Sequence, residues 1–320
     1  MSDRGLSGAA GTGATPSGTK TGAASLLPYA ALTLTALIWS GNWVAGRWLQ
    51  GAISPVALTF WRLLLAAVIL LPFTALPLWR DRAALRREWP KLIVFSVIGL
   101  AAFNVMVYFG LRGTTAINGS MVNSASPIFV IVISWFGLGE RSTWRQYLGV
   151  AVSLAGVAAI LSRGDPRALL ALNFGLGDLV ILGAVFLWAL YSTLLRHWPS
   201  RLRPISFVAA TIGISVAVLL PAYLVERQFV GGFEPTWNVA LGIAYMAVLA
   251  SITGYVMWNF GARAVGAGKA SLFLHLIPAF AAGQAMAFLG EALRLYHLAG
   301  IALILSGIYI ATAVRPFWRR

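Results

Sequence analysis

The 320-residue chain is 59% hydrophobic and only 10% charged, with a mean hydropathy of +0.81, a balance that excludes a water-soluble domain and points to an integral membrane protein. Cysteine is absent, which excludes a disulfide framework and thiol chemistry. The net charge of +15 raises a nucleic-acid reading, but its distribution removes that reading, as shown below.

Residues 1–26 open with "MSDRGLSGAAGTGATPSGTKTGAA", a Gly/Ala/Ser/Thr-rich tail expected to be disordered. It does not resemble a signal peptide, because the first apolar run is span-length and more spans follow. Apolar runs then recur at about 27–48, 54–78, 92–111, 115–137, 145–162, 177–197, 204–225, 238–262, 268–289 and 295–314, each close to the roughly 20 residues that cross a bilayer as a helix. They lack the ten-residue alternation of barrel strands. The predicted fold class is therefore all-α integral membrane, with ten transmembrane helices. The longest hydrophilic connections are expected at 80–91 and 163–177, so function must lie among the helices.

Lysine and arginine set the direction. With the N terminus in the cytoplasm, 17 of the 24 basic residues fall inside, six fall outside, and Arg62 is left within a span. Such a bias places both termini in the cytoplasm. It also reads the charge as a topology signal facing anionic lipid, with no nucleic-acid partner.

The chain matches itself. At an offset of 149, Trp39 meets Trp188, Arg47 meets Arg196 and Pro55 meets Pro204; from the third span the offset becomes 151, and 14 of the 48 positions from 109 to 156 are identical. That makes an internal repeat: 27–162 and 177–314, joined by a loop at 163–176 and followed by a basic tail at 315–320. Five spans per copy is an odd number, so the halves are inverted about an axis in the membrane plane, the architecture of alternating-access carriers. Duplication without transport is the competing reading.

Pro127 sits mid-span and has a twin, Pro278. Each removes an amide and frees a carbonyl, those of Asn123 and Leu274, which in a bilayer must face protein or a wet cavity. Matched interruptions in two halves point to a binding site between them, and both prolines are expected to act as hinges. Ser120 and Ser124 share a helix face with Pro127, as do Ser271 and His275 with Pro278. Asn104 and Tyr108 in the third span reappear reversed as Tyr255 and Asn259 in the eighth, beside Trp258. The first and sixth spans contribute Trp39, Asn42 and Trp43, and Trp188 and Tyr191. These side chains are the candidate substrate-binding residues around a central cavity. For Ser120 and Ser271, packing between helices is an equally good reading.

None of the nine acidic residues lies mid-span. Cation- and proton-coupled carriers usually keep a carboxylate there, so the cavity suits a net-neutral zwitterion with an apolar or aromatic side chain. Arg62 stands about eight residues into the second span, roughly 12 Å along the helix. It either attracts a carboxylate or, as the plainer and favoured reading, snorkels or stabilises helix ends. Glu140 and Glu291 end the fourth and ninth spans, and ion pairs of Glu140 with Arg263 and of Glu291 with Arg112 are expected to brace or gate the two ends. Gly149, Gly156, Gly300 and Gly307 mark the fifth and tenth spans as tightly packed scaffold.

The sequence elements "ALIWSGNWVAGR", "FWRLLLAA", the fourth-span Pro127 with "LGE", and "GVAVSLAGVAAI", in this order and echoed in both halves, resemble the drug/metabolite transporter superfamily, in its EamA-type exporter branch. The resemblance covers residues 27–314. It implies a bacterial inner-membrane carrier, a secondary exporter of small metabolites similar to exporters of neutral or aromatic amino acids, with no cofactor and no metal. A multidrug carrier, a passive channel and an intramembrane enzyme are the alternatives. The multidrug reading lacks its buried acid, and the enzyme reading lacks clustered catalytic or metal-binding groups. No motif fixes the substrate or the oligomeric state, and a monomer is sufficient.

Overall fold

The structure is a computed structural model that describes residues 21–114, 119, 122–139, 142–162, 165, 167, 175–289 and 295–312. The regular secondary structure of the described residues is helical, with no strand among them. In chain order the helices are α1 (Thr21–Trp48), α2 (Pro55–Arg80), α3 (Arg82–Gly110), α4 (Ser126–Leu138), α5 (Trp144–Leu161), α6 (Leu176–His197), α7 (Pro204–Val230), α8 (Trp237–Val265), α9 (Ala267–Leu289, with a 3-10 turn at Phe273–His275) and α10 (Leu295–Thr312). Among the described residues α2, α3, α6, α7 and α8 are each long and apolar enough to cross a membrane.

One expectation is corrected. The segment 80–91, read from its charge as a loop, is helical: only Asp81 separates α2 from α3. Its Arg, Ala, Leu and Glu residues are strong helix formers. Pro90 removes only a bond to the Arg86 carbonyl on an exposed turn.

The inversion is visible in residue pairs. α5 lies along α10 with Gly149 facing Gly307, Ser153 facing Ile304 and Gly156 facing Gly300. One series rises as the other falls, so the two helices are antiparallel. The glycines let the backbones approach, as packing between helices in lipid requires. α2 and α7 pair in the same sense. Phe60 stacks on Tyr223 with ring centroids 4.5 Å apart. Glu226, near the end of α7, accepts from the Ser54 hydroxyl and from the Ala57 amide at the start of α2. Asp81, at the end of α2, accepts from the Arg203 amide and pairs with its guanidinium at the start of α7. Each N terminus thus receives a carboxylate, which its unsatisfied amides and dipole favour. Proline at the first position of both helices, Pro55 and Pro204, fits the same rule.

The remaining pairings come in twos. α1 packs on α8 and on α9, while its repeat counterpart α6 packs on α3 and on α4. The two halves are therefore built alike and interlock around one pseudo-two-fold axis.

Candidate functional site

Repeat-equivalent residues can touch one another only where that axis passes between them. Among the described residues four such contacts stand out. The rings of Trp39 and Trp188 meet edge to face at 4.9 Å. Asn104 Nδ2 donates to Tyr255 Oη at 3.2 Å. His275 Nε2 donates to the Ser124 carbonyl at 2.9 Å. Ser153 Oγ donates to the Ile304 carbonyl at 3.3 Å. The first three belong to the candidate site, which therefore sits on the axis; the fourth belongs to the scaffold.

Two π-turns shape it. α3 widens at Val97–Ala101 and α8 at Met246–Thr253, matching places in the two halves. A π-turn disturbs the regular ladder and is frequent at functional sites. The carbonyls of Gly99 and Ala250, equivalent at an offset of 151, are both recruited by side chains from across the bundle: Tyr255 Oη donates to Gly99 at 2.7 Å and Trp39 Nε1 donates to Ala250 at 3.1 Å. Gly99 must be glycine because a Cβ would collide with the Tyr191 ring.

The reversed Asn/Tyr order has a structural meaning. Tyr108 Oη donates to Asn42 Oδ1 at 3.1 Å in one half, and Tyr191 Oη donates to Asn259 Oδ1 at 2.6 Å in the other. The same contact between α1 and α3 recurs between α6 and α8 with the two residue types exchanged. Trp258 is fully buried against Trp39 and Trp188, at 5.4 and 5.2 Å. Phe103, which sequence reasoning passed over, packs on Trp188 at 5.0 Å.

Arg62 is the main correction. It does not snorkel: it is 1% exposed. Its Nε donates to Ser251 Oγ at 3.0 Å, and its Nη1 donates to Asn42 Oδ1 and Asn104 Oδ1 at 3.1 Å each, and to Tyr108 Oη. Three helices besides its own supply those oxygens. A long, flexible side chain beginning eight residues inside a span reaches inward here because neutral acceptors surround it on the cavity side. The pairing of Trp61, the next residue back, with Tyr223 faces the other way, toward α7.

The interruption in α4 also differs in detail from expectation. The helix restarts at Ser126 with Pro127 in its first turn, after a turn at Ser124–Ala125. The Ile128 amide bonds to the Ala125 carbonyl, three residues back. That shift releases the Ser124 carbonyl, the one His275 caps, where the sequence had pointed to the carbonyl of Asn123. Pro278 follows the 3-10 turn of α9 in the same way.

A cavity of about 30 Å³ lies at the centre, lined by Trp39, Asn42, Trp43, Arg62, Asn104, Asn123, Trp188 and Tyr255 together with Phe103, Val107, Leu274 and Ile277. Tyr108, Ser124, Tyr191, Trp258, Asn259 and His275 stand behind or beside this lining. A volume of about one water molecule's share is too small to hold a molecule of amino-acid size in this conformation. Of the expected braces, Glu140 and Glu291 lie outside the described residues, as does Ser120. Arg263 lies over the Phe207 ring at 4.7 Å, and its Nε and Nη2 are buried without a hydrogen-bond partner among the described residues. Arg112 lines a separate surface pocket beside Glu226 and Arg227.

Comparison with known proteins agrees with this architecture. The profile of the EamA-like transporter family matches residues 26–162 and again residues 175–313. An uncharacterized transporter of Bacillus subtilis, YyaM, is 28% identical over 84% of this chain and 88% of its own length. A probable terminal-alkyne amino-acid exporter of Streptantibioticus cattleyicolor is 28% identical over 88% of this chain and 91% of its own. One crystal structure, 18% identical, superposes with a TM-score of 0.70 over 90% of this chain and 96% of its own, which shows a shared fold. With its repeated unit matched twice by the family profile and its relatives transporters along nearly their whole length, the chain belongs to the EamA-like transporter family.

Proposed function

We propose that the protein exports small metabolites, with neutral and aromatic amino acids as the substrate class, by alternating access and without obligatory coupling to protons. The observation that carries this reading is the cavity on the pseudo-two-fold axis. Its walls are indole and phenyl faces, amides and a guanidinium, with no Asp or Glu among the described lining residues. Aromatic walls suit an apolar or aromatic side chain. The amides suit the polar end. A fixed positive charge disfavours hydrophobic cations and so the multidrug alternative. The amino-acid exporter among the relatives supports the same class.

In this reading the protein works in the bacterial inner membrane with both termini cytoplasmic, the direction favoured by the Lys/Arg distribution. The two halves rock about the axis on which Trp39 meets Trp188. Pro127 and Pro278 serve as hinges, and Arg263 with Glu140 and Arg112 with Glu291 brace the ends in turn. Counterflow in proteoliposomes loaded with single labelled amino acids, with and without a pH gradient, tests it. Saturable exchange that ignores the gradient and is lost in Trp188→Ala is the expected result. Proton-dependent movement of cationic dyes without amino-acid exchange overturns it.

A further inference from the structure

We propose that Arg62 is an anion anchor inside the membrane, so that the transported molecule must carry a carboxylate while its ammonium group is dispensable. This rests on the export reading of the same cavity and narrows its substrate class.

A guanidinium keeps its charge in proteins, and an intramembrane charge is costly unless paired. Among the described residues Arg62 has no carboxylate partner. Its bonded neighbours, Asn42, Asn104, Tyr108 and Ser251, are all neutral. The described acids that form bonds are engaged elsewhere: Glu88 with Ser200 and the Arg201 amide, Asp165 with the Arg167 amide, Asp178 with Thr114 and the Gly175 amide, Glu226 with Ser54 and the Ala57 amide, Asp81 with Arg203.

Among the described residues, the buried side-chain atoms without a partner on the cavity-lining residues are donors; His275 Nδ1, an acceptor without a partner, stands behind that lining. Nη2 of Arg62 has no hydrogen-bond partner among the described residues. The same holds for Asn123 Nδ2 and Trp188 Nε1, on cavity-lining residues that are 3% and 1% exposed. A carboxylate only accepts, at two oxygens, and a guanidinium binds it with charge-assisted bonds. An ammonium only donates. The amide oxygens of Asn42 and Asn104 already accept from Arg62 at 3.1 Å, so an ammonium placed there would lie against the guanidinium.

The anchor belongs to one half. Thr211 occupies the equivalent position in α7, and its hydroxyl is spent on its own helix, on the Phe207 carbonyl at 2.9 Å. A monoanion at Arg62 therefore brings the loaded site to neutrality, whereas a zwitterion leaves it carrying the net positive charge of the empty site.

The test uses the full chain in nanodiscs, with quenching of the cavity tryptophans and thermal shift as parallel readouts. The probes are phenylalanine, phenylalaninamide, phenethylamine and 3-phenylpropionate. Phenylalanine and 3-phenylpropionate are expected to bind, and the amide and the amine to bind at least about tenfold more weakly. Arg62→Gln should weaken both acids by a similar factor, with Arg62→Lys in between. If Arg62→Gln does not fold, Asn123→Ala keeps the guanidinium and should weaken the acids severalfold without affecting the amine. Binding of 3-phenylpropionate with phenylalanine silent keeps the anchor and defeats the amino-acid reading. Equal binding of phenylalanine and its amide does the reverse. The anchor is also overturned if phenethylamine matches the acids, if chloride stabilises the protein while carboxylates do nothing, or if none of these acids, acetate or hexanoate binds.

Discussion

Asn104 and Tyr255 occupy the same position in the two halves, yet one is an amide and the other a phenol, and they bond to each other at 3.2 Å. Identical residues there would face like with like across the axis. The exchange gives a donor opposite an acceptor and frees the Tyr255 hydrogen for the Gly99 carbonyl. Tyr255→Phe therefore strands Asn104 Nδ2 on that side and leaves the Gly99 carbonyl without its side-chain donor. We expect a loss of about 1–3 kcal/mol in stability, the cost of unsatisfied buried groups, read as a lower unfolding midpoint of the purified protein in nanodiscs.

Tyr108 and Tyr191 make equivalent bonds to asparagine, but only Tyr108 also accepts from Arg62. Tyr108→Phe should therefore reduce counterflow more than Tyr191→Phe. Equal effects on exchange rate would show that Arg62 has no part in the transport cycle.

The scaffold pair α5–α10 depends on small residues. A Cβ on Gly156 would lie 2.6 Å from the Gly300 carbonyl oxygen, an atom of the backbone that cannot step aside. Gly156→Ala should destabilise by about 1–3 kcal/mol, as overpacking does. Gly213→Ala, where a Cβ meets nothing within 4 Å, is the matched control and should be neutral or slightly stabilising. Fluorescence-detected thermal melts of the two variants check this contrast.

The start of α2 is held by Glu226 through Ser54 and Ala57. Glu226→Ala should cost about 1 kcal/mol. Adding Ser54→Ala should cost less than the sum, because both changes remove one network. A double-mutant cycle on the unfolding midpoint reports the coupling, and strict additivity would count against it.

If Arg263 braces one end with Glu140, then Arg263→Glu should impair exchange and adding Glu140→Arg should recover it. Counterflow rates of the single and double variants decide the matter. A double variant no better than either single one rules out the pair.

How far the sequence reached depended on what is periodic along the chain. The helix at each apolar run is legible because hydrocarbon leaves a spanning backbone no other partner than itself. The inversion is legible because an odd number of spans reverses the second copy. Trp39 with Trp188, and Asn104 with Tyr255, were found as matched positions by the offset alone. The segment at 80–91 reads as a loop by its charge yet is helical, because charge marks solvent exposure and does not by itself break a helix.

The rest needed three dimensions. The place of Arg62 in its span sets a depth but not a direction, and a side chain that long reaches water or a cavity depending on which helices stand beside it. Only the packed bundle places Asn42, Asn104, Tyr108 and Ser251 from α1, α3 and α8 around it. The π-turns at Val97–Ala101 and Met246–Thr253 carry no sequence signal either; they arise where Tyr255 and Trp39 compete for helix carbonyls. The sequence by itself determined membrane helices and their doubling, because both follow from local hydrophobicity and self-similarity. The tertiary structure decided which polar groups meet on the axis, because a hydrogen bond depends on distances between helices that no spacing along one helix contains.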